Sequence, residues 1–250
     1  MAQLIKTSNP ALNAQVFQGH AVALGEGMTL DGTVNKTGLL LICTAATAAW
    51  TWHIFMQSRS PASVGLPMWI GFIGGFIFAM ITIFKQTWAP VTAPIYALLE
   101  GLALGGISAV LELRFPGIAI QSVALTFGTL AVLLLAYRSG LIPVTQKFRM
   151  GVVAATGAIM LFYIAEIVLG FFGVHFASVN GSGIVGIGFS VVVVIVAALN
   201  LVLDFDFIES GVRANAPKYM EWYGAFGLMV TLIWLYLEIL ILLSKIRSRD

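Results

Sequence analysis

The chain has 250 residues, 59% of them hydrophobic and 10% charged, with a formal net charge of +2. A soluble domain carries roughly 25% charged residues, so a water-soluble fold would lack the polar surface to cover this much apolar side chain. So small and dispersed a charge also excludes a nucleic-acid surface.

Residues 1–35 mix polar and small side chains and read as an N-terminal tail. A cleavable signal would put a basic patch and a short apolar core at the very start, whereas the first long apolar run begins near Thr37. A hydrocarbon core of about 30 Å needs roughly 20 apolar residues per helix. Runs of that kind lie near 37–56, 66–84, 91–111, 118–137, 150–172, 182–204 and 223–243. They predict an all-α polytopic membrane protein, a seven-transmembrane-helix bundle forming one domain over residues 36–250.

Segment one holds the single cysteine, Cys43, which can form neither an intramolecular disulfide nor a thiolate metal site and reads as a small packing residue. Gly71 and Gly75 in segment two, and Gly101 and Gly105 in segment three, are spaced four apart, which predicts close backbone approach between helices. Segment six contains Val191-Val192-Val193-Val194-Ile195-Val196, apolar all round. Pro10, Pro61, Pro67, Pro90, Pro94, Pro116, Pro143 and Pro217 fall in loops, the tail or first turns. That placement argues against a transporter built on helices broken at mid-membrane. His20, His53 and His175 are scattered with no i, i+4 pair, so no zinc site and no cofactor is expected.

Basic residues near the membrane set the orientation. With the N-terminus in the cytoplasm, the inner loops hold Lys36, Lys85, Arg138, Lys147, Arg149, Arg213 and Lys218. The outer loops then hold only Arg59 and Arg114, and the C-terminal tail carries Lys245, Arg247 and Arg249. The balance favours a cytoplasmic N-terminus.

Carboxylates carry the chemistry, because one at a helix centre costs about 2.5–3.5 kcal/mol on insertion scales. Glu100 falls in the middle of segment three, Glu166 in the outer half of segment five and Glu238 in the outer half of segment seven. Asp204, Asp206 and Glu209 crowd the end of segment six, and Asn200 shares a face with Asp204. A helix C-terminus favours cations, so three acids there call for a compensating charge: Arg149, a proton or a metal ion. Such an oxygen-rich set suits transient calcium at Asp204 and Asp206, with no firm metal site. Glu100 must be neutral, paired or water-exposed.

Three stretches carry a family resemblance: Pro94-Ile95-Tyr96-Ala97-Leu98-Leu99-Glu100-Gly101-Leu102-Ala103-Leu104-Gly105, Leu203-Asp204-Phe205-Asp206-Phe207-Ile208-Glu209 and Trp234-Leu235-Tyr236-Leu237-Glu238. The chain resembles the Bax inhibitor (transmembrane Bax inhibitor motif) family in its bacterial branch, over roughly residues 35–245. The resemblance implies a seven-helix bundle in a bacterial inner membrane, its last helix surrounded by the other six. It also implies a pH-sensitive calcium leak gated by acids on helices six and seven, here Asp204 or Asp206 with Glu238.

The sequence departs from the family pattern in having Glu238 where the family typically has Asp, and in a longer stretch from Asp206 to Glu238. If segment seven enters near Tyr223, Glu238 lies about 22 Å along it at 1.5 Å per residue. Asp204 would then sit near the cytoplasmic end, and Glu166 would be the better depth match for Glu238.

The leading expectation is a cation leak, for calcium above all, whose close carboxyls share a proton. Protonation would favour the closed form. One alternative is a proton-coupled transporter relaying through Glu100 and Glu166. Another is a non-conducting membrane stress regulator acting through other membrane proteins. An enzyme is not expected. Lys245 lies beyond the last segment, where a retinal-binding lysine would be at mid-membrane, and Gly188-Phe189-Ser190-Val191 does not match an intramembrane protease loop.

Overall fold

The computed structural model describes residues 27–173 and 176–249. In chain order these form α1 (Leu30–Ser58), α2 (Ala62–Phe84), α3 (Ala89–Arg114), α4 (Ile118–Arg138), α5 (Gln146–Phe171), the one-turn α6 (Ala177–Asn180), α7 (Ile184–Arg213) and α8 (Met220–Arg247). Among the described residues, seven helices are long and apolar enough to cross a membrane, α6 being the exception. His20, His175, Pro10 and residues 1–26 of the expected tail lie outside the described residues.

Local chemistry explains several helix ends. Thr29 caps α1 by accepting from the Gly32 N–H at 3.0 Å, and Asp31 stands in the first turn, where the helix dipole favours an anion. Hence α1 begins at Leu30, seven residues before the expected start, and the last part of the expected tail is helix. Arg59, at φ 48°, ends it. A short 3₁₀ turn, Gln86–Trp88, joins α2 to α3. The start of α4 is capped from α3: the Glu112 carboxylate accepts from the N–H groups of Gly117 at 2.5 Å and Ala119 at 3.0 Å.

Two further boundaries correct the sequence reading. Pro67 and Pro94 lie in the second turns of α2 and α3, slightly deeper than first turns. More consequentially, α7 runs nine residues past 204 to Arg213. Asp204, Asp206 and Glu209 therefore sit within a helix whose intervening Phe205, Phe207 and Ile208 are buried in the core. Arg213 supplies the cation that the true C-terminus favours.

Without a hydrophobic drive between helices in lipid, packing depends on close fit. Gly71 lies so near α3 that an added Cβ would be 2.6 Å from the Leu99 carbonyl and 2.7 Å from the Ala103 nitrogen. Gly101 and Gly105 stand equally close to α1, at 2.3 Å from the carbonyls of Thr44 and Ala48 respectively. Thr44 adds a bond across that contact, donating to the Ala97 carbonyl at 3.0 Å. α1, α2 and α3 thus form one tightly joined layer.

α8 is the centre of the bundle. It packs against α1, α3, α4 and α7, and 67% of its most apolar stretch is buried. The corresponding figure for α5 is 17%. In the valine run of α7, Val193 and Val196 are buried while Val192 and Ile195 are exposed, so one face meets the bundle and the other lies outermost.

Candidate functional site

The bundle gathers its polar side chains along the seam where α5 meets α7 and α8. At one end Arg149 of α5 donates to Asp206 of α7 at 2.6 Å. Nearby, Glu209 accepts from the hydroxyl of Tyr137 on α4 and from Arg213 at 3.1 Å. Asp204 is fully buried in the same stretch of α7. Two turns along α5, Asn200 donates to the Thr156 hydroxyl at 2.8 Å and to the Val196 carbonyl at 2.8 Å.

Farther along, Glu238 of α8 is buried and accepts from the hydroxyl of Tyr163 on α5 at 2.8 Å. Trp234 donates to the same carboxylate oxygen at 3.1 Å, across one turn of α8. Glu166, one turn beyond Tyr163, accepts from the Asn180 amide. Lys245 of α8 closes this end, donating to the Val179 carbonyl, the Gly186 carbonyl and the Ser190 hydroxyl.

Glu100 borders a cavity of about 510 Å³ beside the seam. Tyr163, Thr156 and Asn200 line it on one side, and Phe72, Tyr96, Phe226 and Trp234 supply aromatic walls. The carboxylate lies against α2 at Gly75, where an added Cβ would come within 2.6 Å of Glu100 Oε1. Glu100 and Glu166 are on helices that face this region from different sides, and Glu166 is engaged by Asn180 instead.

The two acids implied by the family resemblance stand apart. α7 and α8 run antiparallel, with Gly224 facing Ile208. Counted from that contact, Glu238 stands beside Val194, ten residues from Asp204 and about 15 Å along the helix. Tyr163, three residues before Glu166, meets Glu238 at that depth. Asp206 has Arg149 in the position where a bound cation was expected. Among the described residues no group of three or more His, Cys, Asp or Glu side chains could hold a metal ion.

Sequence reasoning passed over several of these partners. Tyr137, Tyr163 and Trp234 were hidden because aromatic residues are ordinary in membrane helices; the i, i+4 spacing of Trp234 and Glu238 was the available signal. Glu221 was also missed. Its side chain is 0% exposed in the first turn of α8, where it accepts from the Thr29 N–H at 2.8 Å, the Thr29 hydroxyl at 2.7 Å and Lys218 at 3.1 Å, and pairs with Lys36. Lys36 also lies over the Trp222 ring.

No curated protein and no solved structure matches the chain. The family described as Bax inhibitor 1 like matches residues 9–248, nearly the whole length. That extent, together with seven apolar helices of spanning length, shows that the chain is a multi-pass membrane protein belonging to the Bax inhibitor 1 like family.

Proposed function

We propose that this protein is a pH-sensitive leak for cations, calcium foremost, in a bacterial inner membrane, with its N-terminus in the cytoplasm. The observation that carries the reading is the alignment of Arg149–Asp206, Thr156–Asn200 and Tyr163–Glu238 along one seam. Ionisable side chains inside a membrane bundle characteristically mark ion or proton paths. Here they run beside a cavity of about 510 Å³ whose border includes Glu100. Oxygen donors on this path suit a hard cation.

The gate we infer is the attachment of α5, held by a separate polar contact at each depth. Asp206 forms a charge-assisted bond with Arg149 only while ionised. Protonating it removes half of the pair, so acid loosens this end of α5. This differs from two carboxyls sharing one proton, because Glu238 lies about 15 Å from Asp204 along the helix. It also reverses the sign: protonation opens.

Calcium flux into liposomes containing the purified protein, measured over a pH series, tests the reading. Flux should rise as pH falls, and Glu238→Gln should weaken that dependence by removing one titrating group. Folded protein with no flux at any pH would overturn the leak. An unchanged pH profile in Glu238→Gln would remove Glu238 from the gate.

A further inference from the structure

The cavity beside the seam is bordered by two polar groups to which the fold supplies no bond. Tyr96 and Glu100 are four residues apart on α3, so they share one face of the helix, and both line the cavity. Tyr96 is only 4% exposed. No described residue hydrogen-bonds to its hydroxyl, and none bonds to or pairs with the Glu100 carboxylate. By contrast, Asp206, Glu221 and Glu238 are each held by donors from the protein. A buried polar group left without a partner is costly, so the pair on α3 is suited to a partner from outside the chain.

The surroundings select that partner. Phe226 meets the Tyr96 ring edge-on with centroids 5.0 Å apart, and Phe72 and Trp234 extend the aromatic lining. Aromatic rings attract cations and offer apolar burial together. No basic side chain among the described residues lines the cavity, so Glu100 has no internal counter-ion there. A volume of about 510 Å³ is that of a small-molecule site, far larger than a bare ion fills. An organic ammonium fits each feature: its N–H donates to the carboxylate, and its apolar body fills the aromatic space.

Access is from the membrane. Phe76 of α2 and Met160 of α5, on opposite sides of the mouth, are 67% and 49% exposed. Glu100 lies about 16 Å along α3 from Ala89, a depth that a lipid headgroup amine does not reach. We propose that this cavity binds small hydrophobic ammonium ions from the bilayer, with Glu100 as counter-ion and Tyr96 as a second polar contact. The site is read by binding and not by flux, so it stands or falls separately from the leak.

The test titrates phenylbutyldimethylamine, a cation at neutral pH, into full-length protein in lipid nanodiscs and follows the heat. Protein-free nanodiscs are the blank, and phenylbutanol is the uncharged counterpart. The wild type should bind the amine saturably, about tenfold or more tightly than the alcohol. Glu100→Gln should lose that preference while keeping a melting temperature near the wild type. Tyr96→Phe should weaken the amine a few-fold and leave the alcohol unchanged. No saturable binding, or equal binding by a folded Glu100→Gln protein, overturns the proposal. A second measurement needs no variant. Dicyclohexylcarbodiimide modifies carboxyls buried in membranes, and mass spectrometry locates the adduct. The amine should slow modification of Glu100 several-fold, and the alcohol should not. Equal rates with and without the amine likewise overturn the site.

Discussion

Replacing Arg149 with methionine isolates the Arg149–Asp206 latch of α5, because an unbranched apolar side chain of similar reach keeps the packing and removes the charge. The Arg149–Asp206 contact is 2.6 Å long, with side chains 22% and 10% exposed. Fully exposed pairs contribute about 0.2–1 kcal/mol. Removing one partner of a fully buried pair costs about 3–5 kcal/mol, much of it from the charge left behind. This pair lies between those limits, so about 2 kcal/mol is the appropriate magnitude. If it acts only in the closed form, Arg149→Met shifts the closed–open balance by about 30-fold, at 1.4 kcal/mol per factor of ten. The assay is the initial rate of calcium entry into liposomes at neutral pH and across a pH series. The variant should leak at neutral pH as the wild type leaks in acid, and its response to pH should flatten. Asp206→Asn should behave alike, and the double variant should add little to either single one, since all three remove the same contact. A folded Arg149→Met protein with wild-type flux and an unchanged pH profile refutes the latch.

Two further predictions concern stability. Gly71→Ala forces a methyl to within 2.6 Å of the Leu99 carbonyl, a backbone atom that cannot swing aside, and should cost about 1–3 kcal/mol. Gly157→Ala, on α5 with nothing within 4 Å of the added methyl, should instead stabilise its helix by about 0.5–1 kcal/mol, so melting temperatures in detergent should move in opposite directions. Glu221→Ala strands Lys36 and the Thr29 N–H, at a cost of about 3–5 kcal/mol if the pair behaves as buried. Limited proteolysis should then cut faster around residues 27–29, and a cleavage rate equal to the wild type would count against Glu221 as the anchor of this segment.

Hydropathy alone revealed all seven spans, because a stretch of roughly 20 apolar residues has few other uses. The glycine pairs were legible for a related reason: spacing of four puts both on one face, and Gly71, Gly101 and Gly105 each met a neighbouring backbone while Gly75 met the Glu100 side chain. Arg149 could be named as the compensating cation for the acids of segment six because charge must balance in a low-dielectric interior. Other features required tertiary information. The extent of α7 was hidden because Asp204, Asp206 and Glu209 lower the apolar average just where Phe205, Phe207 and Ile208 continue the core. The separation of Glu238 from Asp204, by contrast, followed from counting along segment seven, which put Glu238 at the depth of Glu166; its partner there, Tyr163, did not. Lys245 looked like part of a basic tail, since its acceptors are two backbone carbonyls and a hydroxyl from a distant segment.

The two least buried spans, α2 and α5, are attached by different physics. Each has 17% of its most apolar stretch buried. α2 holds to α3 through close backbone contact at Gly71, through Gly75 against the Glu100 side chain, and through one buried hydroxyl bond from Thr82 to Thr92 at 2.7 Å. On α5, Gly151 and Gly157 have no neighbour within 4 Å of an added Cβ, so those glycines provide no comparable seam. To apolar packing of Ile159 on Val193 and Val196 it adds directional polar bonds: Arg149 to Asp206, Thr156 to Asn200 and Tyr163 to Glu238. Two of the three end on a carboxylate. Dispersion is indifferent to proton concentration, whereas a bond to a carboxylate changes when that group takes up a proton. A pH change therefore reaches α5 through Asp206 and Glu238, while the close glycine contacts at Gly71, Gly101 and Gly105 that join α1, α2 and α3 carry no titrating group. A conformational response to acid is carried by the helix whose attachments titrate, and here that helix borders the cavity.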